Sequence, residues 1–428
     1  MKRTDVVIVG GGQAGLATSV CLSSRNVDHV VLERGRVGER WRSERWPSLT
    51  LLTPNWLTRL PGFRYDGDDP DGYMGTLEVA ALLERYADLG RVPIERETAV
   101  TRVEPSNGAY IVRTDRGVWR AANVVIATGY SDVPSVPATS RQLAADLLQL
   151  TPGEYRGPAH LPPGGVLVVG AAASGIQLAD EIQASGRQVT LAVGRHLRLP
   201  RVYRGRDILG WLDAMGLLAE PTEHVADIEV SRRQPSLQLV GRPDRSTLDL
   251  AVLQQRGVRL AGRLLGADTG HRLCLDDDLA GTVAAADIKL AALLARIDAF
   301  IARSHAGAPR AEPFVPYWPL VPAGAPTSLD LKRKGIRTVV WATGFRRDYR
   351  WLRAAALDGR GELMHEGGVT PLPGLFAVGL QFQRRRNSAF IDGVGDDAAF
   401  IAGRIAARLR AVHGEPVLHR EPPRRPEP

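Results

Sequence analysis

The chain has 428 residues, of which 44% are hydrophobic and 24% charged, and this is typical of a globular protein with two or three domains. No apolar run reaches the roughly 18–20 residues that a membrane-spanning helix needs. The net charge of +8 comes mostly from scattered arginines, with no basic run interleaved with aromatics, and this argues against nucleic acid as a partner. No signal-peptide pattern precedes the first predicted strand, so we expect a cytoplasmic protein.

The first predicted strand, Val6–Val9, ends in the loop Gly10-x-Gly12-x-x-Gly15, and an alanine-rich helix follows. The first glycine permits a tight turn, the second lets the backbone approach a pyrophosphate, and the third lets helix and strand pack closely. The phosphate would lie at the helix N-terminus, where unpaired N–H groups favour anions. At the end of the next predicted strand, Glu33 can accept hydrogen bonds from a ribose. The segment therefore predicts a dinucleotide site.

The same pattern occurs a second time along the chain. The apolar run 166–169 leads into a loop from Gly170 to Gly175 and then a helix, with Ala172 at the middle glycine position. Each copy is closed by Val-Val-x-Ala-Thr-Gly, at residues 124–129 and 339–344. The repeat predicts two dinucleotide-binding domains.

The second copy has a different residue at the ribose position. Counting the same distance from Gly170 leads to Val193, Gly194 and Arg195, and no acid occurs there. An acid would repel a 2′-phosphate, whereas arginine can pair with it in a bidentate manner. This favours NADPH over NADH in the second copy, and Arg198 and Arg201 are candidates to assist Arg195.

Residues 151–165 are rich in proline and glycine and predict a linker between the copies. We expect a helix over 288–302, and a strand over 374–379 with a helix over 396–409 that complete the first domain. The predicted fold class is α/β, with two Rossmann-like dinucleotide-binding domains of the three-layer ββα type and the second domain inserted into the first. The expected divisions are the first part of the first domain at 1–159, the second domain at 160–345, the second part of the first domain at 346–414 and a disordered tail at 415–428.

The two loops, the paired Ala-Thr-Gly motifs and the segment from Gly38 to Gly62 resemble class B flavoprotein monooxygenases. These include the flavin-containing monooxygenases and, closer here, the plant YUCCA enzymes and their bacterial relatives. The resemblance implies FAD in the first domain and NADPH in the second. It also implies that reduced FAD reacts with O2 and that a C4a-(hydro)peroxyflavin oxygenates a small organic substrate.

The resemblance further implies which residues hold the cofactors. The cofactor carries the hard chemistry, so we identify no catalytic side chain and leave the catalytic residues unknown. Those expected at FAD are Gly10, Gly12, Gln13, Ala14, Gly15, Glu33, Arg34, Trp41, Arg42, Thr53, Ala127, Thr128, Gly129, Gly379, Asp396 and Asp397. Those expected at NADPH are Gly170, Ala172, Ser174, Gly175, Arg195, Ala342, Thr343 and Gly344.

Two family features are missing. The linker fingerprint of flavin-containing monooxygenases is absent, and Gln149 stands about where its histidine would fall. Leu52 occupies a position where many members have asparagine, and Asn55 is out of register. Both departures bear on the substrate range and on how the oxygenated flavin is held.

The type of reaction and the substrate pocket remain open. An NADPH-dependent flavin dehydrogenase or oxidase that releases H2O2, and a non-catalytic nucleotide-binding protein, are the alternatives. The two cysteines are far apart in the sequence and form no Cys-x-x-Cys pair. The histidines are not spaced as metal ligands, so we expect no metal. A homodimer is left open. Candidate pocket residues are Phe314, Tyr317, Trp318 and the run 384–387.

Overall fold

A computed structural model describes residues 1–268, 270–304 and 325–413. The predicted tail at 415–428 and the candidate pocket residues Phe314, Tyr317 and Trp318 lie outside the described residues. The helices of the described part are α1 (Gln13–Ser23), α2 (Glu39–Ser43), α3 (Thr76–Leu89), α4 (Ala173–Ala184), α5 (Ile208–Ala214), α6 (Ile228–Arg232), α7 (Leu250–Gln255), α8 (Leu279–Ser304) and α9 (Val394–His413).

The strands of the described part range from two to ten residues in length. They are β1 (Lys2–Val9), β2 (His29–Leu32), β3 (Arg59–Leu60), β4 (Phe63–Arg64), β5 (Ile94–Glu95), β6 (Val100–Ser106), β7 (Ala109–Thr114), β8 (Gly117–Ile126), β9 (Val133–Pro134), β10 (Leu148–Leu150), β11 (Gly165–Val169), β12 (Val189–Ala192), β13 (Leu197–Arg198), β14 (Val202–Tyr203), β15 (Arg206–Asp207), β16 (Leu237–Gln238), β17 (Arg259–Ala261), β18 (Leu264–Ala267), β19 (Arg272–Leu275), β20 (Ser328–Asp330), β21 (Ile336–Trp341), β22 (Phe345–Arg346) and β23 (Leu375–Ala377).

The first sheet has the order β5-β2-β1-β8-β7-β6, and β23 pairs with the end of β8. Its strands β5, β2, β1, β8 and β23 run parallel, whereas β6 and β7 form an antiparallel extension on β8. Helices α1, α3 and α9 pack their apolar faces on one side of the parallel part. Side chains of the antiparallel strands fill the other side, so three layers result.

The second sheet repeats this arrangement. Strands β10-β21-β11-β12-β17 all run parallel, and α4 and α7 pack on one side. The three antiparallel strands β18, β19 and β20 pack on the other side. Because β23 returns to β8 and α9 packs on α1, the second sheet is inserted into the first unit, as the fold prediction has it.

The boundaries are less simple than the predicted divisions. Strand β10, at Leu148–Leu150, pairs with β21 of the second sheet although it precedes the expected boundary at residue 160. The chain therefore enters the second unit before the proline-rich segment 151–165. The division into 1–159, 160–345 and 346–414 stays a prediction.

A further apolar cluster lies beside the two sheets. Helix α8 is longer than the predicted helix over 288–302, and it packs with α5 around a core that includes Trp211 and Leu57. The Trp211 indole donates to the Tyr203 carbonyl at 2.7 Å, so this tryptophan is a core residue. The cluster brings helices of the inserted unit against Leu57 of the first unit.

Candidate active site

One large cleft, of about 2340 Å³, lies between the two units. Pockets for a single drug-sized ligand are roughly 300–1,000 Å³, so this cleft has room for more than one such molecule. It is lined by both glycine loops and by both Ala-Thr-Gly motifs, at 127–129 and 342–344. The tertiary structure therefore brings the two halves of the sequence repeat to one continuous site.

The first glycine loop leaves no room for side chains at two of its positions. Gly10 has φ +108°, and a Cβ there would lie 2.7 Å from the Ala127 carbonyl oxygen. A Cβ at Gly15 would lie 1.9 Å from the Gly10 carbonyl oxygen, so helix α1 packs directly on the loop. Gly12 has open space within 4 Å and caps α1 without a side-chain hydrogen bond. The exposed N–H groups fit a pyrophosphate at this helix N-terminus.

The second glycine loop has the same geometry. Gly170 has φ +106°, and its Cβ would lie 2.4 Å from the Ala342 carbonyl oxygen. A Cβ at Gly175 would lie 1.8 Å from the Gly170 carbonyl oxygen. Ala172 caps α4 in the extended conformation that Gly12 adopts, again without a side-chain cap. Its methyl group fits because this backbone conformation is open to any residue.

The Ala-Thr-Gly motifs turn the chain at the ends of β8 and β21. Gly129 and Gly344 both have positive φ, at +73° and +88°, which favours glycine. Arg40 donates to the Thr128 carbonyl at 3.0 Å and forms an ion pair with Asp132. The side chain of Arg40 thus holds the turn after β8 in place, a role that no motif in the sequence indicates.

The two ribose positions differ in charge, as the sequence predicts. The Glu33 carboxylate accepts the N–H groups of Gly11 at 2.6 Å and Gly35 at 2.9 Å, which holds it at the cleft wall. Arg195 lies exposed at the cleft and forms no ion pair within the described part of the chain. An open cation of this kind fits a phosphate group.

Most of the other predicted FAD residues also line the cleft. Of these, Trp41 on α2 is half-buried, and Arg34 pairs with Glu44 at 2.7 Å. A Cβ at Gly379 would lie 2.7 Å from the Ala14 methyl group, so the loop after β23 packs on α1. The predicted residues in contact with the cleft are Gly10, Gly12, Gln13, Ala14, Glu33, Arg34, Trp41, Thr53, Ala127, Thr128, Gly129 and Gly379 on the first side, and Gly170, Ala172, Ser174, Arg195, Ala342, Thr343 and Gly344 on the second.

Four of the expected FAD residues do not line the cleft, and one of them, Gly15, is buried under the loop against the Gly10 carbonyl oxygen. Arg42 pairs with Glu84 of α3 at 2.8 Å, because neighbouring residues of a helix lie about 100° apart around its axis. Asp396 pairs with Arg385 outside the cleft, and Asp397 is fully buried. The segment 389–391, just before α9, lines the cleft instead. The side chains of Arg42, Asp396 and Asp397 thus do not line the cleft, and their role at FAD stays a prediction.

Two arginines of the second unit also depart from expectation. Arg198 is buried and donates to Asp249 at 2.7 Å and Asp287 at 2.6 Å. Arg201 is fully buried and donates to Asp207 at 2.6 Å and to the Leu52 carbonyl at 2.7 Å. Both guanidinium groups are engaged within the protein, so neither is available to assist Arg195 with a 2′-phosphate.

One part of the cleft wall is apolar. Leucines from α5, α8 and the segments around them form this part, which belongs to the cluster beside the two sheets. Several residues of the segment 208–218 belong to this core and also face the cleft. The leucines are Leu199, Leu209, Leu212, Leu218, Leu239 and Leu290.

The structure places one residue at the cleft that the sequence did not indicate, His365, and one residue of the candidate run 384–387, Arg386. The His365 imidazole lines the cleft, and its Nδ1 accepts the Gly368 N–H at 3.3 Å. Burial, with Arg232 and Arg347 nearby, lowers the pKa of His365 to about 4, so this ring is neutral near pH 7. Arg386, within the candidate run 384–387, lines the cleft and pairs with Glu220. No motif marks either residue, because each reaches the cleft only through tertiary packing.

The departures from the family pattern have structural roles here. Gln149 accepts from the Trp341 indole at 3.0 Å and donates to the Ser140 carbonyl at 3.1 Å, which fixes the edge of the second sheet. Asn55 bonds the Asp69 carbonyl and the Met74 N–H, so it is a buried scaffold residue. Leu52 lines the cleft, so an apolar side chain stands at this position.

Neither cysteine lines the cleft. Cys21 is buried on α1, where burial raises the pKa of its thiol, and Cys274 is exposed on β19 of the second unit. Within residues 1–268, 270–304 and 325–413 no cluster of potential metal ligands occurs. No helix of the described part is long and apolar enough to cross a membrane.

Comparisons with known proteins agree with this architecture. Residues 7–205 match the family model described as pyridine nucleotide-disulphide oxidoreductase. A CzcO-like oxidoreductase of Geobacillus kaustophilus, named as uncharacterised, is 31% identical, and the match covers 94% of this chain and 98% of that protein. The indole-3-pyruvate monooxygenase YUCCA1 of rice is 30% identical over 50% of this chain and 53% of that protein. The structure of a flavin-containing monooxygenase from Stenotrophomonas maltophilia aligns with a TM-score of 0.67 at 20% identity, covering 96% of this chain and 100% of that chain.

The paired sheets and their shared cleft define an oxidoreductase that uses a flavin and a nicotinamide nucleotide. More closely, the chain belongs to the family of the CzcO-like oxidoreductases, which it matches along almost its whole length. About half of it is also similar to the YUCCA monooxygenases.

Proposed function

We propose that this chain is an FAD- and NADPH-dependent monooxygenase that transfers one oxygen atom from O2 to a small organic molecule in the cytoplasm. The observation that carries the proposal is the single cleft lined by both glycine loops. Hydride transfer needs the donor and acceptor rings in contact, so two nucleotide sites in one continuous space fit that chemistry.

The assignment of each nucleotide follows from the ribose positions. Glu33 is held at the wall by two backbone N–H groups and is ready to accept from the ribose diol of an adenosine. Arg195 presents an exposed cation at the matching position of the second unit, which favours a 2′-phosphate. We therefore assign FAD to the first loop and NADPH to the second.

The protein contributes position and water exclusion. Bound FAD supplies the redox chemistry and the reaction with oxygen. The leucines of the apolar part of the cleft wall exclude water there, and this suppresses the loss of peroxide. They also fit a substrate with an apolar body.

The cysteines separate this function from disulfide reduction. A flavin-linked disulfide reductase passes electrons to a thiol pair, and both cysteines of this chain lie away from the cleft. Among the reactions open to a reduced flavin, oxygen activation or oxidase chemistry therefore fits this cleft better than disulfide reduction.

Anaerobic reduction of the FAD-loaded protein by NADPH, followed by rapid mixing with oxygenated buffer, tests the proposal. We expect fast flavin bleaching with NADPH and then a flavin–oxygen adduct that persists for seconds before oxidised flavin returns. Oxidised flavin that returns at once with stoichiometric H2O2 would indicate an oxidase. If NADPH does not bleach the flavin at all, the chain is not an NADPH-linked oxidoreductase.

A further inference from the structure

Arg45 is a charged residue of the cleft that the cofactor motifs do not explain. It follows α2, and its guanidinium carbon lies 5.7 Å from the Trp41 ring centroid and 5.5 Å from the Phe345 ring centroid. Trp41 belongs to the first unit, whereas Phe345 directly follows the second Ala-Thr-Gly motif. Arg45 therefore bridges the two units where they face each other across the cleft.

Arg45 forms no ion pair with a carboxylate within the described part of the chain, and the adjacent Glu44 is already paired with Arg34 and Arg40. The Arg45 guanidinium donates to the Glu44 carbonyl at 3.1 Å. Its neighbours differ, since each of them is paired with a carboxylate. These pairs are Arg34–Glu44, Arg36–Glu39, Arg40–Asp132 and Arg42–Glu84.

An unbalanced guanidinium in this position is costly unless a ligand completes it. Burial lowers the pKa of Arg45, yet arginine keeps its charge at any physiological pH. The stacking on two rings holds the guanidinium plane in place and leaves its N–H groups for a partner. A planar guanidinium matches the oxygens of a phosphate or carboxylate in a bidentate arrangement.

The position of the neighbouring residues indicates which anion this is. Trp46, the next residue, is buried in the same hydrophobic cluster as Ala171 of the second glycine loop. Arg45 thus directly precedes a residue by which the first unit packs into the core of the second. The first turn of α4 offers backbone N–H groups and the Ser174 hydroxyl to a pyrophosphate and carries no cation.

We propose that Arg45 binds the pyrophosphate of the nicotinamide dinucleotide from the opposite unit. The first unit would thereby hold a nucleotide whose adenosine half is bound by the second unit. This would keep the nucleotide in the closed cleft between reduction of the flavin and the reaction with oxygen. Arg45 is in this sense a positioning residue, and the inference rests on the nicotinamide site of the proposed function.

The test measures binding to the FAD-loaded protein by calorimetry, with NADP+, NAD+ and adenosine 2′-phosphate as probes. Adenosine 2′-phosphate has the 2′-phosphate and lacks the pyrophosphate. Arg45→Met should weaken NADP+ and NAD+ by the same factor, roughly ten- to hundredfold for a lost charged hydrogen bond, and leave adenosine 2′-phosphate unchanged. Arg45→Lys should restore part of the affinity, since it keeps the charge and loses the planar fork.

Matched variants separate this role from others. Arg36→Met removes an exposed, paired arginine of the same segment and should change none of the three affinities. Arg195→Ala should show the opposite pattern to Arg45→Met, with losses for NADP+ and adenosine 2′-phosphate and little change for NAD+.

Several outcomes would overturn the assignment. A lower melting temperature of Arg45→Met with unchanged nucleotide affinities would mean that Arg45 only links the two rings. Loss of FAD with unaffected NADP+ binding would assign Arg45 to the other dinucleotide. Equal losses for all three probes would indicate a distorted cleft. Failure of the wild-type protein to bind NADP+ is a different result, since it refutes the proposed function itself.

Discussion

The two units of this protein have nearly the same backbone and different charges. Gly10 and Gly170 make the same turn against Ala127 and Ala342, and Gly15 and Gly175 make the same close packing. At the ribose position, however, one unit has Glu33 and the other has Arg195. From this comparison we predict that the glycines specify a dinucleotide and that one side chain at the end of the second strand of each unit selects which dinucleotide binds.

The largest expected effects come from the glycines shared by both units. Gly15→Ala and Gly175→Ala place a methyl group within 2 Å of a backbone oxygen that cannot move away, at 1.9 Å and 1.8 Å. We expect each to lower the free energy of unfolding by about 2–4 kcal/mol. Gly15→Ala should also abolish FAD retention, whereas Gly175→Ala should keep FAD and lose NADP+.

Thermal unfolding and FAD content after dialysis measure both effects, with Gly12→Ala as the control. A Cβ at Gly12 meets open space, so its stability should change by less than about 1 kcal/mol. Equal destabilisation by Gly12→Ala and Gly15→Ala would contradict the packing argument.

Removal of the charge at Arg195 tests the difference between the units. Arg195→Ala should weaken NADPH by roughly ten- to hundredfold, because a charged hydrogen-bonded pair with the 2′-phosphate is lost. NADH lacks that phosphate, so its affinity should change by less than about threefold. Titration of the oxidised protein with NADP+ and NAD+, or steady-state KM values, measures the ratio, and equal losses for both nucleotides would refute the 2′-phosphate role.

Buried charge also differs between the units. In the second unit Asp249 and Asp287 are paired with Arg198, whereas in the first unit the fully buried Asp397 has its nearest cation, Arg384, at 3.8 Å. Burial raises the pKa of Asp397 to about 6. The folded state therefore binds the Asp397 proton more tightly than the unfolded state. The resulting contribution to the free energy of unfolding is fully present below about pH 4 and is lost as the pH rises through about 6.

Asp397→Asn should remove this pH dependence. The variant keeps the shape of the side chain without the charge, so it should be more stable than wild type at pH 7.5 by up to about 2–3 kcal/mol and similar to it at pH 4. Melting temperatures of both proteins across pH 4–8 provide the measurement. Parallel curves for the two proteins would show that Asp397 does not titrate in this range.

The smallest expected effect concerns the middle position of the second loop. Ala172→Gly removes the methyl group that distinguishes this loop from the first, so the backbone can approach the pyrophosphate more closely. Added backbone freedom offsets part of the gain, and we expect NADP+ to bind up to about threefold more tightly. A tenfold loss in calorimetry would show that the alanine itself contributes to the site.

The sequence alone determined the two glycine loops, the Ala-Thr-Gly turns and the difference in charge between Glu33 and Arg195. These features depend on short segments in which strand, turn and helix follow one another directly. It also predicted that the second unit is inserted into the first, because the second copy of the repeat lies between segments that belong to the first domain. Sequence reasoning was weaker where a side chain's direction matters. It placed Arg42 at the flavin and Arg198 and Arg201 at a phosphate, whereas each points to carboxylates elsewhere.

Only the tertiary structure decided what lies between the units. The leucines of the cleft wall come from segments distant in sequence. Strand β10 belongs to the second sheet although it precedes the linker 151–165 in the chain. Arg45 acquires its position from two aromatic rings about 300 residues apart in the chain, Trp41 and Phe345. The physical reason is the range of the interactions: a glycine turn is fixed by its own dihedral angles and nearest neighbours, whereas the balance of a charge depends on every group that packs around it.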